Sequence, residues 1–434
     1  MEISKYGATT ILFLCFSFQA MAQDTLKLSR QQCEAVFLKE NLLLIAERLE
    51  VPKAEAMVLQ AKLWPNPTVS LDEINLWATQ KQLGVFGQEL QGFNGGNFGR
   101  NQQISFSIEQ LILTAGKRKK LTALEQVNVE KSKQYFEDLM RHLKIEFRQQ
   151  LTQLQYLQFN RIIYQNQISS VRQLTQAYQK QMELGNIPKG EYIRLKALEL
   201  EFSKQINELN KEINEAQKEL KLLMRLPANV QLVLTDEAYL KNAESFKLIS
   251  LAALLDTAKS TRPDLKIAEL DQTYFSKLYA YEKAQRTPNV TLKGGYDRGG
   301  NFMYNFVGFG VAMDLPVFNR NQGNIRYANL GIEQSKIRFE QQTLSITNEI
   351  VLAWQNLNAS LQFYESIEPD YEKTLDDLLN AYTRNFTNRN MSLLEYLDFL
   401  DAYLENKKII LEAGKEVNDK VEELNFSVGT DLIK

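Results

Sequence analysis

The sequence predicts a mostly α-helical fold with a smaller β portion, in which a unit of one long helical hairpin and two strands occurs twice. The run from Lys117 to Gln181 contains neither Gly nor Pro and repeats apolar residues every three or four positions. At about 1.5 Å rise per residue such a helix would reach about 100 Å, which is typical of coiled-coil-like bundles. Short stretches of alternating apolar and polar residues predict the strands.

Matching text in the two halves indicates an internal duplication. Residues 178–201 and 382–405 are identical at six of 24 positions, at a separation of 204 residues. In both halves a Pro-Asn pair also precedes a stretch that predicts a β-strand. Chance similarity between two helical stretches is the alternative, and ordered matches weigh against it. We expect a first repeat over 23–234, a connecting segment over 235–260 and a second repeat over 261–434. The two pre-strand turns are Pro65-Asn66 and Pro288-Asn289.

The N-terminus predicts a secretory signal peptide over 1–22. Lys5 precedes an apolar run from Gly7 to Phe18, and Ala20-Met21-Ala22 supplies a small-x-small cleavage site before Gln23. The run is shorter than the roughly 20 residues that a transmembrane helix needs. We therefore expect the segment to be removed.

The first helix should begin at Arg30 behind the capping residue Ser29 and continue to about Leu63, with a break or kink at Pro52. Strand text follows in each half, at about 67–75 and 101–111 and again at about 289–298 and 303–315. The apolar and polar faces of these stretches separate, as a barrel wall between lipid and water requires. A soluble sandwich gives the same alternation, so this pattern leaves both open.

The long helices should meet at two tips. The first hairpin turns near Gly185 and returns to Pro227. The second long helix should run to about Phe386 with a bend at Pro369, and the last helix from Ser392 to about Leu424.

Composition excludes several classes of function. The chain has one His, two Cys and a formal net charge of −2. After signal removal only Cys33 remains, so neither a disulfide nor a His/Cys zinc cluster can be formed within one chain. We assign no Cys-His or Ser-His-Asp catalytic set to the single His and the single remaining Cys. The charge is too low for a nucleic-acid partner. We predict no enzyme activity and no cofactor.

The chain resembles the TolC-like outer-membrane efflux factors, and within them the CzcC-like branch of heavy-metal efflux systems. The duplication, the two Pro-Asn turns, the LPVFNRNQGNI passage after the last strand and the SLLEYLDFLDA text at the second tip carry the resemblance. It implies a homotrimer in the outer membrane, with four strands per copy in a shared 12-stranded barrel and a periplasmic α-helical tunnel. It also implies a periplasmic adaptor protein and an inner-membrane pump of the resistance-nodulation-division type as partners.

The resemblance further implies a gate at the start of the last helix, where Glu395 and Asp398 match acidic positions and Asp401 lies one helical step further. In a trimer each position would form a ring of three carboxylates that attracts cations. Arg194, the first-half counterpart of Asp398, or Lys189 is expected to pair with them. A solvated helix face is the alternative. The candidate tip and adaptor-contact residues are Gly185, Asn186, Pro188, Lys189, Arg194, Arg389 and Asn390.

Three functions remain open from the sequence. The first is a passive exit duct for heavy-metal cations in a tripartite efflux pump. The second is the same duct for multidrug efflux or type I protein secretion. The third is a periplasmic coiled-coil adaptor or scaffold without a pore, against which the two pairs of strands count.

Overall fold

The structure is a computed structural model, and it describes residues 25–75, 103–236, 249–298 and 305–432. Several predictions lie outside these residues. They are the signal peptide over 1–22 and part of the connecting segment, 237–248, and the same holds for residues 76–102 and 299–304, which include the first two residues of the predicted strands at 101–111 and 303–315.

Helices dominate the described chain, and the strands are interspersed among them. The strands are β1 Thr25–Leu28, β2 Thr68–Asn75, β3 Gln103–Ile112, β4 Gln231–Leu234, β5 Val290–Arg298 and β6 Asn305–Met313. The helices are α1 Arg30–Glu40, α2 Leu42–Arg48, α3 Glu50–Lys62, α4 Lys117–Glu183, α5 Lys189–Leu223, α6 Leu251–Thr261, α7 Pro263–Gln285, α8 Gln322–Ser366, α9 Tyr371–Thr387 and α10 Leu393–Val428. The four longer strands lie close to the ranges that the sequence predicts.

The chain divides into two compact units. Unit 1 comprises Met1–Leu42, Ile145–Glu244 and Leu357–Glu422, and unit 2 comprises Leu43–Lys144, Ser245–Asn356 and Glu423–Lys434. Each unit takes segments from both sequence repeats, because the long helices α4, α8 and α10 contribute to both.

Unit 2 contains an antiparallel four-stranded sheet in the order β2-β3-β5-β6. Directly opposite residues share a face, so the register places most apolar residues of the four strands on one side and most polar residues on the other. Gln110, Arg298 and Asn305 are polar exceptions on the apolar side, and Leu111 and Phe306 are apolar exceptions on the polar side. The apolar side contains Val69, Leu71, Ile104, Phe106, Ile108, Val290, Leu292, Tyr296, Val307, Phe309, Val311 and Met313. The polar side contains Thr68, Ser70, Asp72, Ser105, Ser107, Glu109, Thr291, Lys293 and Asp297.

The apolar side of this sheet is largely uncovered. Phe309 is 90%, Val311 69% and Val307 63% exposed. Leaving such side chains in water forgoes about 1.5–3 kcal/mol for each one that could be fully buried. A packed sandwich core is therefore absent from this side within the described residues.

Side chains of β3 and of the first turn of α4 contact both predicted pre-strand turns. For the first turn, Gln110 Nε2 donates to the carbonyl of Pro65 (2.9 Å), and the Arg118 guanidinium lies over the Trp64 ring. For the second, the buried Lys117 Nζ donates to the carbonyl of Thr287 and to Asn289 Oδ1, both at 2.6 Å.

A buried arginine anchors the end of α10 in unit 2. Arg262 is 2% exposed, and its guanidinium binds Asp264, Glu349 (2.8 Å) and the carbonyl of Ser427 (2.8 Å). A Cβ on Gly429 would lie 3.2 Å from the Arg262 Cα, so the chain passes close to this site. Pro263 opens α7, where its missing N–H is not needed.

Unit 1 contains a two-stranded parallel sheet, β1-β4, that the sequence does not predict. Strands of four residues are too short to show an alternation that distinguishes them from loops. Gln158 of α4 stabilises β4, since it donates to the carbonyl of Leu232 and accepts from the Leu234 N–H. Arg148 binds Glu34 and Glu422 at 2.8 Å each, so one α4 side chain ties α1 to α10.

Two predicted helices are interrupted differently from expectation. The first helix begins with the predicted Ser29 cap but divides into α1, α2 and α3 at Asn41 and Leu49. Asn41 leaves the helix because its side chain donates to the carbonyl of Leu223 (2.9 Å). Pro52 instead occupies the first turn of α3, where proline is tolerated.

The predicted bend at Pro369 is a full break between α8 and α9, over residues 367–370. Proline has no N–H to continue the helical ladder, and its ring disfavours helical geometry at the preceding residue, Glu368. α9 therefore starts anew at Tyr371, whose N–H donates to the carbonyl of Glu368.

Lys117→Met should lower the free energy of unfolding of unit 2 by about 2 kcal/mol, because the Thr287 carbonyl and Asn289 Oδ1 lose a charged donor. The loss is measured as a lower unfolding temperature of the purified protein in detergent. Lys119→Met, at an exposed position of the same helical turn, is the matched control. An equal shift in both variants would contradict the role assigned to Lys117.

Candidate functional site

Both hairpin tips turn through the same backbone motif. At the end of α4, the Gly185 N–H donates to the Met182 carbonyl and the Asn186 N–H to the Gln181 carbonyl, both at 2.9 Å. At the end of α9, Arg389 and Asn390 form the corresponding bonds. This is the Schellman motif, which requires a left-handed residue after the helix. Gly185 has φ 76° and Arg389 has φ 59°.

The same motif recurs at the far ends of the returning helices. Arg225 follows α5 with φ 53°, and Gly429 follows α10 with φ 83°. The left-handed residues of the two repeats are 204 residues apart at the tip and again 204 residues apart at the helix end. The sequence similarity between residues 178–201 and 382–405 has the same separation, and this agreement supports an internal duplication.

The returning helices start with different chemistry. Ser392 caps α10, since its Oγ accepts from the Glu395 N–H (3.3 Å) while the Glu395 carboxylate accepts from the Ser392 N–H (2.9 Å). The bond from the Ser392 backbone, followed by that from its hydroxyl, lowers the pKa of Glu395. At the first tip Pro188 occupies the cap position and supplies no side-chain acceptor.

The carboxylates expected to form a gate are placed unequally. Asp398 and Asp401 are exposed, and neither has a hydrogen bond or an ion pair within the described residues. Glu395 is exposed as well, but its carboxylate is engaged in the helix cap. The expected pairing of these carboxylates with Arg194 or Lys189 is not found among the described side chains, because both cations are exposed without an ion pair.

The tip residues are exposed, and a side chain outside the predicted set joins the two tips. Gly185, Asn186, Pro188, Lys189, Arg194, Arg389 and Asn390 are all exposed. Gln181 Oε1 accepts from Asn186 Nδ2 (2.8 Å) and from an Arg389 guanidinium nitrogen (3.3 Å). One amide of the first repeat thus contacts both tips.

An aromatic core lies directly behind the tips. Tyr178 stacks on Phe386 with ring centroids 5.4 Å apart, and Phe386 stacks on Tyr396 at 4.7 Å. Aliphatic residues of four helices surround them, among them Ile168, Val171, Leu195, Leu198, Leu375, Leu379, Leu393 and Leu400. Burial raises the pKa of Tyr396.

A buried lysine joins α9 to α10 beyond this core. Lys407 is 7% exposed, and its Nζ binds Glu372 (2.8 Å) and Asp376 (3.1 Å). Tyr403 donates its hydroxyl proton to Asp376 at 2.8 Å. Burial, then the bond to Asp376, raises the pKa of Tyr403.

Sequence reasoning missed Lys407 and Gln181. Lys407 lies in the lysine pair 407–408, which resembles any solvated helix face. The detectable signal was the spacing of Tyr403 and Lys407, which are four residues apart and share a helix face.

Within the described residues, no helix is long and apolar enough to cross a membrane. The described side chains also contain no group of three His, Cys, Asp or Glu residues that could hold a metal ion.

Known proteins resemble this chain in part by sequence and broadly by structure. No protein-family model matches it. The cobalt-zinc-cadmium resistance protein CzcC of Cupriavidus metallidurans is 28% identical over 135 residues, which spans 31% of this chain and 31% of that relative. The match therefore covers about a third of the length of the curated relative.

Two solved structures cover nearly the whole chain. The first is CusC, studied for its folding and transmembrane channel formation, with a TM-score of 0.67, 17% identity and 92% coverage of both chains. The second is the outer-membrane channel OprN, with a TM-score of 0.70, 16% identity and coverage of 92% of this chain and 89% of that one. Likeness at these identities concerns the fold.

Two glycine substitutions at the first tip should act in opposite directions. Gly185→Ala should cost about 1 kcal/mol, because a Cβ disfavours positive φ even where space is open. Gly190→Ala, inside α5 and equally open, should stabilise the tip by about 0.5 kcal/mol. Native-state hydrogen exchange of the tip amides reports both changes. The same sign for both variants would contradict this assignment.

Proposed function

We propose that this chain, which has the fold of the TolC-like outer-membrane channels, is the passive exit duct of a tripartite efflux pump that exports heavy-metal cations. It resides in the outer membrane with a periplasmic extension. Its partners are two further copies of itself, a periplasmic adaptor protein, an inner-membrane pump of the resistance-nodulation-division type and outer-membrane lipid.

The two-sided sheet is the observation that carries the proposal. Its strands of 8, 10, 9 and 9 residues suit a bilayer, for which roughly 9–11 tilted residues are needed. Its apolar side would face lipid and its polar side, with the ion pair of Glu109 and Lys293, would face water.

Four strands cannot enclose a lumen, and unpaired strand edges cannot face lipid. β2 and β6 each have one partner strand within the described residues. Three copies joined edge to edge would give 12 strands and remove every edge.

An exposed apolar row on α8 supports association between copies. Leu330, Ile337 and Leu344 are 53%, 67% and 59% exposed and lie seven residues apart. A seven-residue period keeps apolar residues facing a partner helix in a coiled coil. The row thus provides the helical part of an interface between copies.

Metal cations are the favoured cargo, because the partial relative is a cobalt-zinc-cadmium resistance protein and Asp398 and Asp401 present free carboxylates. Multidrug efflux or type I secretion is the second candidate. The structural similarity to the outer-membrane channel OprN is compatible with either cargo. The non-pore scaffold is disfavoured by the exposed apolar side of the sheet. The seven exposed tip residues form the proposed contact with the adaptor.

Reconstitution tests the duct itself. The mature protein should fractionate with outer membranes as a heat-modifiable trimer and conduct ions in planar bilayers. A monomer without conductance would reject the duct and favour the scaffold.

Asp398→Asn combined with Asp401→Asn should raise the conductance of the closed channel and weaken its preference for cations, because two rings of three carboxylates are lost. Reversal potentials in asymmetric salt measure the preference. Glu395 is left intact because it caps α10. Glu212→Gln with Glu215→Gln, at exposed positions of α5 with the same spacing, removes the same charge elsewhere. No difference between the two double variants would leave Asp398 and Asp401 as a solvated helix face.

A deletion strain tests the cargo. Loss of tolerance to zinc, cobalt, cadmium, copper or nickel, restored by the wild-type gene, would identify the exported ion. Sensitivity to drugs or detergents alone would retain the duct and reject metals as its cargo.

A further inference from the structure

An open cavity of about 690 Å³ lies in unit 2 where α7 leads into β5 and where β6 leads into α8. Three arginines line it, Arg286, Arg320 and Arg326. Tyr279, Val317 and Phe318 supply apolar walls. The cavity therefore combines a concentrated positive charge with aromatic and aliphatic surface, beside the start of β5 and the end of β6.

The three arginines have no carboxylate partner in the described part of the chain. All three are exposed, and none takes part in an ion pair there. The neighbouring Glu282 accepts instead from Asn321 Nδ2 at 2.6 Å. Three guanidinium groups around one cavity repel each other unless an anion joins them.

Exposed apolar residues lie between the apolar row of β6 and the arginines. Leu315 and Val317 follow the strand end, in a tight turn in which the Val317 N–H donates to the Leu315 carbonyl at 2.8 Å. They are 69% and 58% exposed, and Phe318 is 94% exposed. Under the proposed function, this row passes from the acyl region of the bilayer to its periplasmic headgroups.

We infer that this cavity binds an anionic phospholipid of the inner leaflet, with its phosphate on Arg286, Arg320 and Arg326 and its acyl chains along Leu315, Val317 and Phe318. Guanidinium groups bind phosphate through paired, charge-assisted hydrogen bonds. A phospholipid presents phosphate and apolar chains in the order in which the cavity presents arginines and apolar residues. This inference rests on the placement of the sheet in the outer membrane.

Binding is measured by titrating the purified, detergent-solubilised oligomer with short-chain phosphatidylglycerol and following the unfolding temperature and native mass spectra. Short-chain phosphatidylcholine and glycerol phosphate serve as comparison ligands. The variant is Arg286→Gln/Arg320→Gln/Arg326→Gln. Its matched control, Lys277→Gln/Lys336→Gln/Arg338→Gln, removes three positive charges from exposed positions of α7 and α8 outside the cavity.

We expect phosphatidylglycerol to bind at least tenfold more tightly than phosphatidylcholine, and glycerol phosphate not to compete. The cavity variant should lose about tenfold in affinity and the control less than twofold. Equal affinities of the two variants, or no preference between the two lipids, would overturn the inference. Dissociation of the oligomer in the cavity variant alone would overturn it in favour of a contact between copies.

If the triple variant does not fold, Arg320→Gln alone should lose about threefold, and an unchanged affinity in that variant rejects the site. Conductance of the wild-type oligomer separates this inference from the proposed function. Normal conductance without lipid preference rejects the lipid site and retains the duct. Selective, arginine-dependent lipid binding without conductance retains the site and rejects the duct.

Discussion

The fold depends on covering the apolar side of a four-stranded sheet. Four strands are too few to close around that side, so it must be covered by another surface. In β2-β3-β5-β6 most of the apolar residues fall on one side, and large side chains such as Phe309 and Val311 remain exposed there. In water each would forgo roughly 1.5–3 kcal/mol of burial, so the arrangement is stable only against lipid or another apolar surface. The buried Lys117 and the cation–π contact of Arg118 join α4 to the turns that precede β5 and β2.

The two hairpin tips share their backbone geometry but differ in their chemistry. Gly185 and Arg389 hold the same left-handed position, although only glycine does so without strain. Pro188 and Ser392 hold the same cap position, and only Ser392 supplies a capping oxygen. The second tip therefore combines a strained turn with a better helix start. It also contains Asp398 and Asp401, whose first-repeat counterparts, Arg194 and Ala197, are not acidic. The two halves are equivalent as scaffolds and distinct as surfaces.

Much of the fold could be predicted from the sequence, because long helices and alternating strands leave strong periodic signals. α4 is one uninterrupted helix, as its lack of Gly and Pro predicts, and the sheet residues separate as expected. β1 and β4 could not be predicted, since four residues carry no period. The break at Asn41 depends on a hydrogen bond to Leu223, which is 182 residues away along the chain. At the candidate site, sequence reasoning found the exposed acids, but the engagement of Glu395 in a cap depends on the side-chain geometry of Ser392.

The matching turn positions also constrain how this chain can evolve. The segments between the tip turn and the final turn, Gly185 to Arg225 and Arg389 to Gly429, contain the same number of residues. An insertion or deletion in only one helix would change its length and rotate every later residue by about 100° relative to its neighbours. Viable length variants should therefore arise as paired events in both halves, whereas point substitutions at the exposed tips can accumulate independently.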